Sequence, residues 1–171
     1  DTVYAVKFKA VLFDLDGTLL HTLPDIRDAM NGVLARYGLP QYDMESYRDM
    51  VRWGIGRLAE LALPQESRSE VDAGELAEEM RRAYMSHPLD SSTPFEAIPE
   101  LISSLHGEGV PMAVLSNKVH ELTNRLIRMT WGENVFATVY GARDDVPMKP
   151  HPAAAHRIAS ELGVKPYEMI F

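Results

Sequence analysis

Asp14-Leu15-Asp16-Gly17-Thr18 sets two carboxylates two residues apart, directly after the apolar run of residues 10–15. The run reads as a buried strand closed by a tight turn at Asp16-Gly17. A turn at Gly17 can gather both acids around one space at the strand's carboxyl end, where open α/β sheets bind ligands. One carboxylate can then attack phosphorus to give an aspartyl-phosphate, while the other gives a proton to the leaving oxygen and later takes one from water. Two anions beside a phosphate repel one another, so this chemistry calls for a cation. Magnesium suits carboxylate, carbonyl and phosphate oxygens. The plainer reading is an ordinary polar turn, since Asp-Gly is a common turn dipeptide.

Two further polar groups occupy equivalent places. Ser116-Asn117 follows the apolar run of residues 111–115. A hydroxyl, an amide and the N–H groups at a helix start make a phosphate cradle, although Ser and Asn are also ordinary helix caps. Lys149-Pro150 follows the run of residues 136–140, where a lysine can neutralise a transferring phosphoryl group or simply be a solvated loop residue. All three groups fall where a successive strand gives way to a loop, and it is this repetition that favours a common site.

The positioning elements are legible from periodicity. Apolar runs at 10–15, 111–115, 136–140 and 169–171 read as strands. Between them Ile98, Leu101, Ile102 and Leu105 keep helical spacing with Pro99 in the first turn. Leu122, Leu126 and Met129 make a second stripe, and Ala155, Ile158, Ala159 and Leu162 a third, closed by Gly163. Strand–helix alternation predicts an α/β fold with a Rossmann-like parallel sheet. The stretch 23–93 breaks the alternation. Four helical patterns run there, the second capped by Asp43 and the third stopped by Pro64. This predicts a helical-bundle insertion at 23–93 within an α/β core of 1–22 and 94–171, joined through linkers near 20–23 and 90–94 that act as hinges.

The chain has 171 residues, 46% of them hydrophobic, enough to bury a sizeable core. A net charge of −8 argues against nucleic acid as a partner. The absence of cysteine excludes disulfides, thiolate metal sites and thiol nucleophiles. No apolar run reaches bilayer length and the first residues lack a signal-peptide layout, so a cytoplasmic protein without membrane partners is expected.

On these residues the chain resembles the haloacid dehalogenase superfamily, and most its phosphoglycolate-phosphatase-like branch with a helical cap. Residues 13–19 match the family's first motif, Leu115-Ser116-Asn117-Lys118 the second in this branch's form, and Lys149-Pro150 the third. The insertion matches the cap in position, and Gly54-Ile55-Gly56 resembles a glycine pair found in it. The resemblance implies a magnesium-dependent phosphatase acting on a small phosphorylated metabolite, phosphoglycolate first, as a monomer or homodimer. It implies Asp14 as nucleophile and magnesium ligand, and Asp16 as general acid/base that gives the metal its carbonyl. Thr18 would steady the loop, Ser116 and Asn117 would hold phosphoryl oxygens, and Lys149 would bridge Asp14 and the phosphate. An acid at position 16 favours phosphate chemistry, because the dehalogenating members need no proton donor and lack one there.

The family's fourth motif, an apolar strand followed by Gly-Asp with another acid nearby, would begin after Met169-Ile170-Phe171. Either the sequence continues, or a truncated product stops before its final strands and binds magnesium weakly. His21 stands where the branch often carries an acid, and Arg57 is a candidate to touch a substrate's distal anion or else to form a surface ion pair. Asp144 and Asp145 read as a solvated turn, and Trp53 and Trp131 as packing residues. Two other readings stay open: a phosphosugar mutase using the same residues, and a truncated, non-catalytic binding domain that keeps the fold.

Overall fold

The computed structural model describes residues 8–51 and 54–171, and Trp53 lies outside the described residues. The chain divides into two compact units, His21–Thr93 and Pro94–Phe171 together with the chain up to Leu20. Among the described residues no helix is long and apolar enough to cross a membrane.

The α/β unit is built on a four-stranded sheet of β1 (Ala10–Phe13), β4 (Met112–Val119), β5 (Thr138–Ala142) and β6 (Met169–Ile170), in the order β5-β4-β1-β6. Each neighbouring pair is parallel, with Leu12 opposite Ala113, Val114 opposite Val139 and Ala10 opposite Met169. Strands buried on both faces read as unbroken apolar runs, and Ala113, Val114 and Leu115 all lie in the core. Helices α5 (Ile98–Gly107), α6 (His120–Trp131) and α7 (Ala153–Glu161) connect the strands. Leu12, Ala113, Leu115 and Tyr140 pack with Ala154 and Ile158 of α7 on one face. Side chains alternate along a strand, so Phe13 points to the other face. There it meets Phe136 edge-on at 6.2 Å, and Phe136 meets Trp131 of α6 at 5.6 Å.

The helical stripes are only partly covered. Ile102 is the buried residue of α5, whereas Leu101 and Met129, which spacing assigns to apolar stripes, are exposed. Two short strands, β2 (Leu20–His21) and β3 (Thr93–Pro94), form a separate two-stranded sheet where the chain passes between the units. No periodicity marks segments of two residues, and the sequence reading leaves them as linkers.

The other unit holds α1 (Leu23–Arg36), α2 (Met44–Met50), α3 (Gly54–Ala62) and α4 (Ala73–Ser86). Met30, Val33 and Leu34 of α1 are buried, as are Leu58, Ala59 and Ala62 of α3 and Leu76, Met80 and Tyr84 of α4. Asp43 caps α2 by accepting from the Ser46 N–H at 2.9 Å, and Asp72 caps α4 through the Glu75 N–H at 2.9 Å. Each cap is worth about 1 kcal/mol. Asn31 accepts from the Tyr42 N–H and the Tyr47 hydroxyl and donates to the Tyr42 carbonyl, so this polar side chain on α1 is satisfied while it ties down the following loop.

Candidate active site

The loop after β1 winds around one carbonyl. The Leu15 oxygen accepts from the N–H groups of Thr18, Leu19 and Leu20 at 3.2, 3.0 and 3.0 Å, and the Gly17 N–H returns to the Leu20 oxygen at 2.9 Å. Such a tight return needs a left-handed residue, and Gly17 supplies it at φ 78°. Leu15, Leu19 and Leu20 are wholly buried, about 1.5–3 kcal/mol each, and anchor the loop from below. Leu15 is buried, whereas Asp14 and Asp16, on either side of it beyond the end of β1, stay partly exposed. Thr18 is exposed and contributes its backbone N–H to the loop.

β4 carries the second group. Leu115 stands opposite Tyr140 and Val119 opposite Ala142, so β4 runs four residues where β5 runs two. Three residues, Ser116, Asn117 and Lys118, thus stand where β5 has only Gly141, a bulge of two extra residues that re-aims those side chains at the strand's carboxyl end. The sequence reading ended this strand at Leu115 and began a cap there; the strand instead continues through the bulge to Val119. The buried Ser116 hydroxyl accepts from the Lys118 N–H at 3.1 Å. The Lys118 carbonyl accepts from the Thr123 hydroxyl at 3.2 Å. Gly141 of β5 makes room for this crossing: a Cβ there would stand 2.5 Å from the His120 Cα and 2.6 Å from the Lys118 oxygen.

Lys149 comes from the loop after β5, and its ammonium lies 2.8 Å from Asp14 Oδ1 and 5.5 Å from the centre of the Phe171 ring. Asn117 does not aim its whole amide at a ligand. Its Oδ1 accepts from the Lys149 N–H at 2.9 Å and its Nδ2 donates to the Lys149 carbonyl at 3.0 Å, which leaves one N–H for anything else. Lys118, to which sequence reasoning assigned no role of its own, brings its ammonium to 3.0 Å from Asp16 Oδ1 with a side chain only 7% exposed. Each carboxylate thus has its own ammonium, arriving from a different strand end. Ion pairing of this kind gives short, charge-assisted hydrogen bonds.

The loop bearing Lys149 is braced at its start. Asp145 pairs with Arg143 at 3.0 Å and Arg157 at 2.9 Å, and the hydrogen bond from Arg157 is the main reason its carboxyl sits below its usual range. Arg143 and Arg157 lie 4.5 and 5.7 Å from the centre of the Tyr140 ring. Burial and the bond to Glu161 raise the Tyr140 phenol. Asp145 is therefore engaged in loop bracing. Arg57, on α3 of the helical unit, pairs with Glu60 at 2.5 Å and lines an open cavity of about 300 Å³ with Glu60, Arg68 and Asp72. Among the described residues no three His, Asp or Glu side chains converge as a metal cluster.

All three strand-end groups belong to the α/β unit and meet at the carboxyl edge of its sheet. The chain matches the haloacid dehalogenase-like hydrolase family over residues 8–171, and it belongs to that family. It is 28% identical to a phosphoglycolate phosphatase of Mannheimia succiniciproducens, over 96% of this chain and 76% of that protein. It is 31% identical to an N-acetylmuramic acid 6-phosphate phosphatase of Pseudomonas aeruginosa, over 97% of this chain and 73% of that one. A crystal structure described as a predicted phosphoglycolate phosphatase from Haemophilus somnus shares the fold, with a TM-score of 0.85 at 23% identity over 95% of this chain and 75% of its own.

Proposed function

We propose that the chain is a magnesium-dependent phosphatase that hydrolyses a small phosphomonoester through an aspartyl-phosphate on Asp14. The observation that carries the reading is the pairing of Asp14 with Lys149 at 2.8 Å and of Asp16 with Lys118 at 3.0 Å around one sheet edge. Both relatives named above are phosphatases of small phosphate esters, which supports the substrate class.

In the first half-reaction an Asp14 carboxylate oxygen forms a bond to phosphorus as the bond to the leaving oxygen breaks, and Asp16 gives that oxygen its proton. Because Oδ1 already accepts the Leu15 N–H at 2.7 Å and the Lys149 ammonium, Oδ2 is the attacking atom. In the second, Asp16 takes a proton from water, whose oxygen displaces Asp14 and releases inorganic phosphate. The Ser116 hydroxyl donates to a phosphoryl oxygen, and Lys149 offsets the charge gathered there. Asn117 holds Lys149 at the height this requires and keeps one N–H for the phosphate. Thr18 steadies the loop through its backbone.

The donor types suit magnesium: the partly exposed Asp14 carboxylate and the Asp16 backbone carbonyl lie on one loop, both hard oxygens that phosphate and water oxygens could join. Asp14 and the Asp16 carbonyl would hold it, and it would offset phosphoryl charge. The helical unit is assigned the role of a cap that governs substrate preference.

The test is magnesium-dependent release of inorganic phosphate from 2-phosphoglycolate and a panel of sugar phosphates. Turnover that disappears in Asp14→Asn supports the reading. Release that is unchanged in that variant sinks it, and isomerised sugar phosphate without free phosphate redirects it to a mutase.

A further inference from the structure

We infer that Lys118 is a positioning residue, whose ammonium holds the Asp16 carboxylate in the orientation from which it passes protons to the leaving oxygen and from water. The inference rests on the assignment of Asp16 as the proton-transfer group.

The first support is burial. The Lys118 side chain is 7% exposed, against 19% for Lys149. A buried ammonium is costly unless a counter-charge and hydrogen bonds satisfy it. Here Asp16 Oδ1 stands 3.0 Å away. The second support is rigidity. The Lys118 backbone is held on both sides, its N–H on the Ser116 hydroxyl and its carbonyl beside the Thr123 hydroxyl, which it shares with the Val119 carbonyl. Gly141 has no Cβ where one would meet that carbonyl at 2.6 Å. The bulge in β4 therefore presents the ammonium from a braced backbone.

The third support is the freedom of the side chain itself. An aspartate on a partly exposed loop can occupy several χ1 wells, and its χ2 is broad. A fixed ammonium selects one of these orientations. Asp14 is oriented differently, by the Leu15 N–H and Lys149. Two carboxylates two residues apart repel each other, and separate ammonium groups from separate strand ends keep them from exchanging partners.

A direct phosphate contact by Lys118 would weaken every substrate alike. In the first half-reaction a positioning role is selective, because proton donation to the leaving oxygen matters only when the leaving group is basic, whereas the water step is the same for every ester. Phosphate release by the full chain is therefore compared for an alkyl phosphate such as 2-phosphoglycolate and for p-nitrophenyl phosphate, whose leaving group departs without a proton. Lys118→Met should lower kcat/KM, which reports phosphoryl transfer to Asp14 and not the later hydrolysis common to both esters, roughly 10- to 100-fold on the alkyl ester, part of what a general acid supplies, and about threefold or less on the aryl ester. In an Asp16→Asn background the same substitution should cause no further loss on the alkyl ester. Should Lys118→Met fail to fold, by circular dichroism, Lys118→Gln takes its place with the same expectations. Equal losses of kcat/KM on both esters overturn the inference, as does a full loss that persists beside Asp16→Asn, or weaker inhibition by inorganic phosphate in proportion to the lost rate. A wild-type chain that hydrolyses neither ester defeats the phosphatase reading itself, and the inference with it. An active wild type with equal losses defeats the inference alone.

Discussion

Asn117 grips the backbone of Lys149 from both sides, accepting its N–H at 2.9 Å and donating to its carbonyl at 3.0 Å. Residues 32 apart in sequence are thereby fixed in register at the sheet edge, and the Lys149 ammonium reaches Asp14 from a held backbone. Removing this clamp should harm function more than stability. Asn117→Ala should change the unfolding free energy by about 1 kcal/mol, since both bonds lie at an exposed position. Phosphate release should fall roughly 10- to 100-fold, because small misplacements of a charged group are felt strongly in catalysis. Urea unfolding and steady-state kinetics on the same variant separate the two effects. A large loss of stability with rate to match would show that the clamp serves the fold alone.

Gly141 is the counterpart on β5. Its missing side chain lets the Lys118–His120 segment cross within van der Waals range, and an added methyl would meet backbone at 2.5 and 2.6 Å. Backbone cannot swing aside as a flexible side chain can. Gly141→Ala should therefore destabilise by about 1–3 kcal/mol, the usual cost of overpacking, and should lower the urea midpoint accordingly. Displacement of the bulge should also reduce phosphate release beyond what the unfolded fraction accounts for. A midpoint within error of wild type would contradict the close approach.

The sequence announces the acids and their loop because local rules govern them: an apolar run, then Asp, then a glycine at φ 78°. Lys149 and Asn117 are visible as residues, but their mutual clamp is not, since it joins groups 32 positions apart. The bulge at Ser116–Asn117–Lys118 is hidden for the same reason. It is set by a tertiary neighbour, Gly141, whose significance is a side chain it lacks. Leu101 and Met129 teach the complementary lesson: periodicity assigns a face to a helix but does not say how far the facing layer extends, and both are exposed. β2 and β3 are too short for any pattern.

Asp25, 4% exposed on the first turn of α1, accepts the backbone N–H groups of Ser91 at 2.8 Å and Ser92 at 2.7 Å. It joins the start of the helical unit to its end. Asp25→Ala leaves two N–H groups without that acceptor, Ser92 being buried, and each orphaned group costs roughly 1–3 kcal/mol. The variant should lose about 2–4 kcal/mol by urea unfolding. Asp25→Asn, which keeps one oxygen acceptor, should lose less. Equal losses for the two variants would indicate that side-chain packing, and not the paired N–H groups, is what Asp25 provides.

His120 opens α6 and accepts the Gly141 N–H on Nδ1 at 3.1 Å, with its ring edge-on to Tyr140 at 6.4 Å. Burial holds its pKa below the ordinary 6.5, the Arg143 guanidinium adds to this, and Asp145 opposes it. Geometry points the same way, because a protonated Nδ1 can no longer accept an N–H. The unfolded chain thus takes up this proton at higher pH than the folded chain. Uptake favours the state that binds it, so the His120 contribution is intact above about pH 6.5 and declines as pH falls through the folded value. The depressed carboxyls act lower: Asp145 and Glu168 sit below their ordinary 3.8 and 4.5, and their contributions are lost only as pH falls through those folded values. The interval between about pH 7 and 5 accordingly reports on imidazole. The urea midpoint should fall across it, and His120→Asn should flatten the fall, since the Asn Oδ1 can take the place of Nδ1 as acceptor without titrating. A fall of the same size in His120→Asn would assign the dependence to another group.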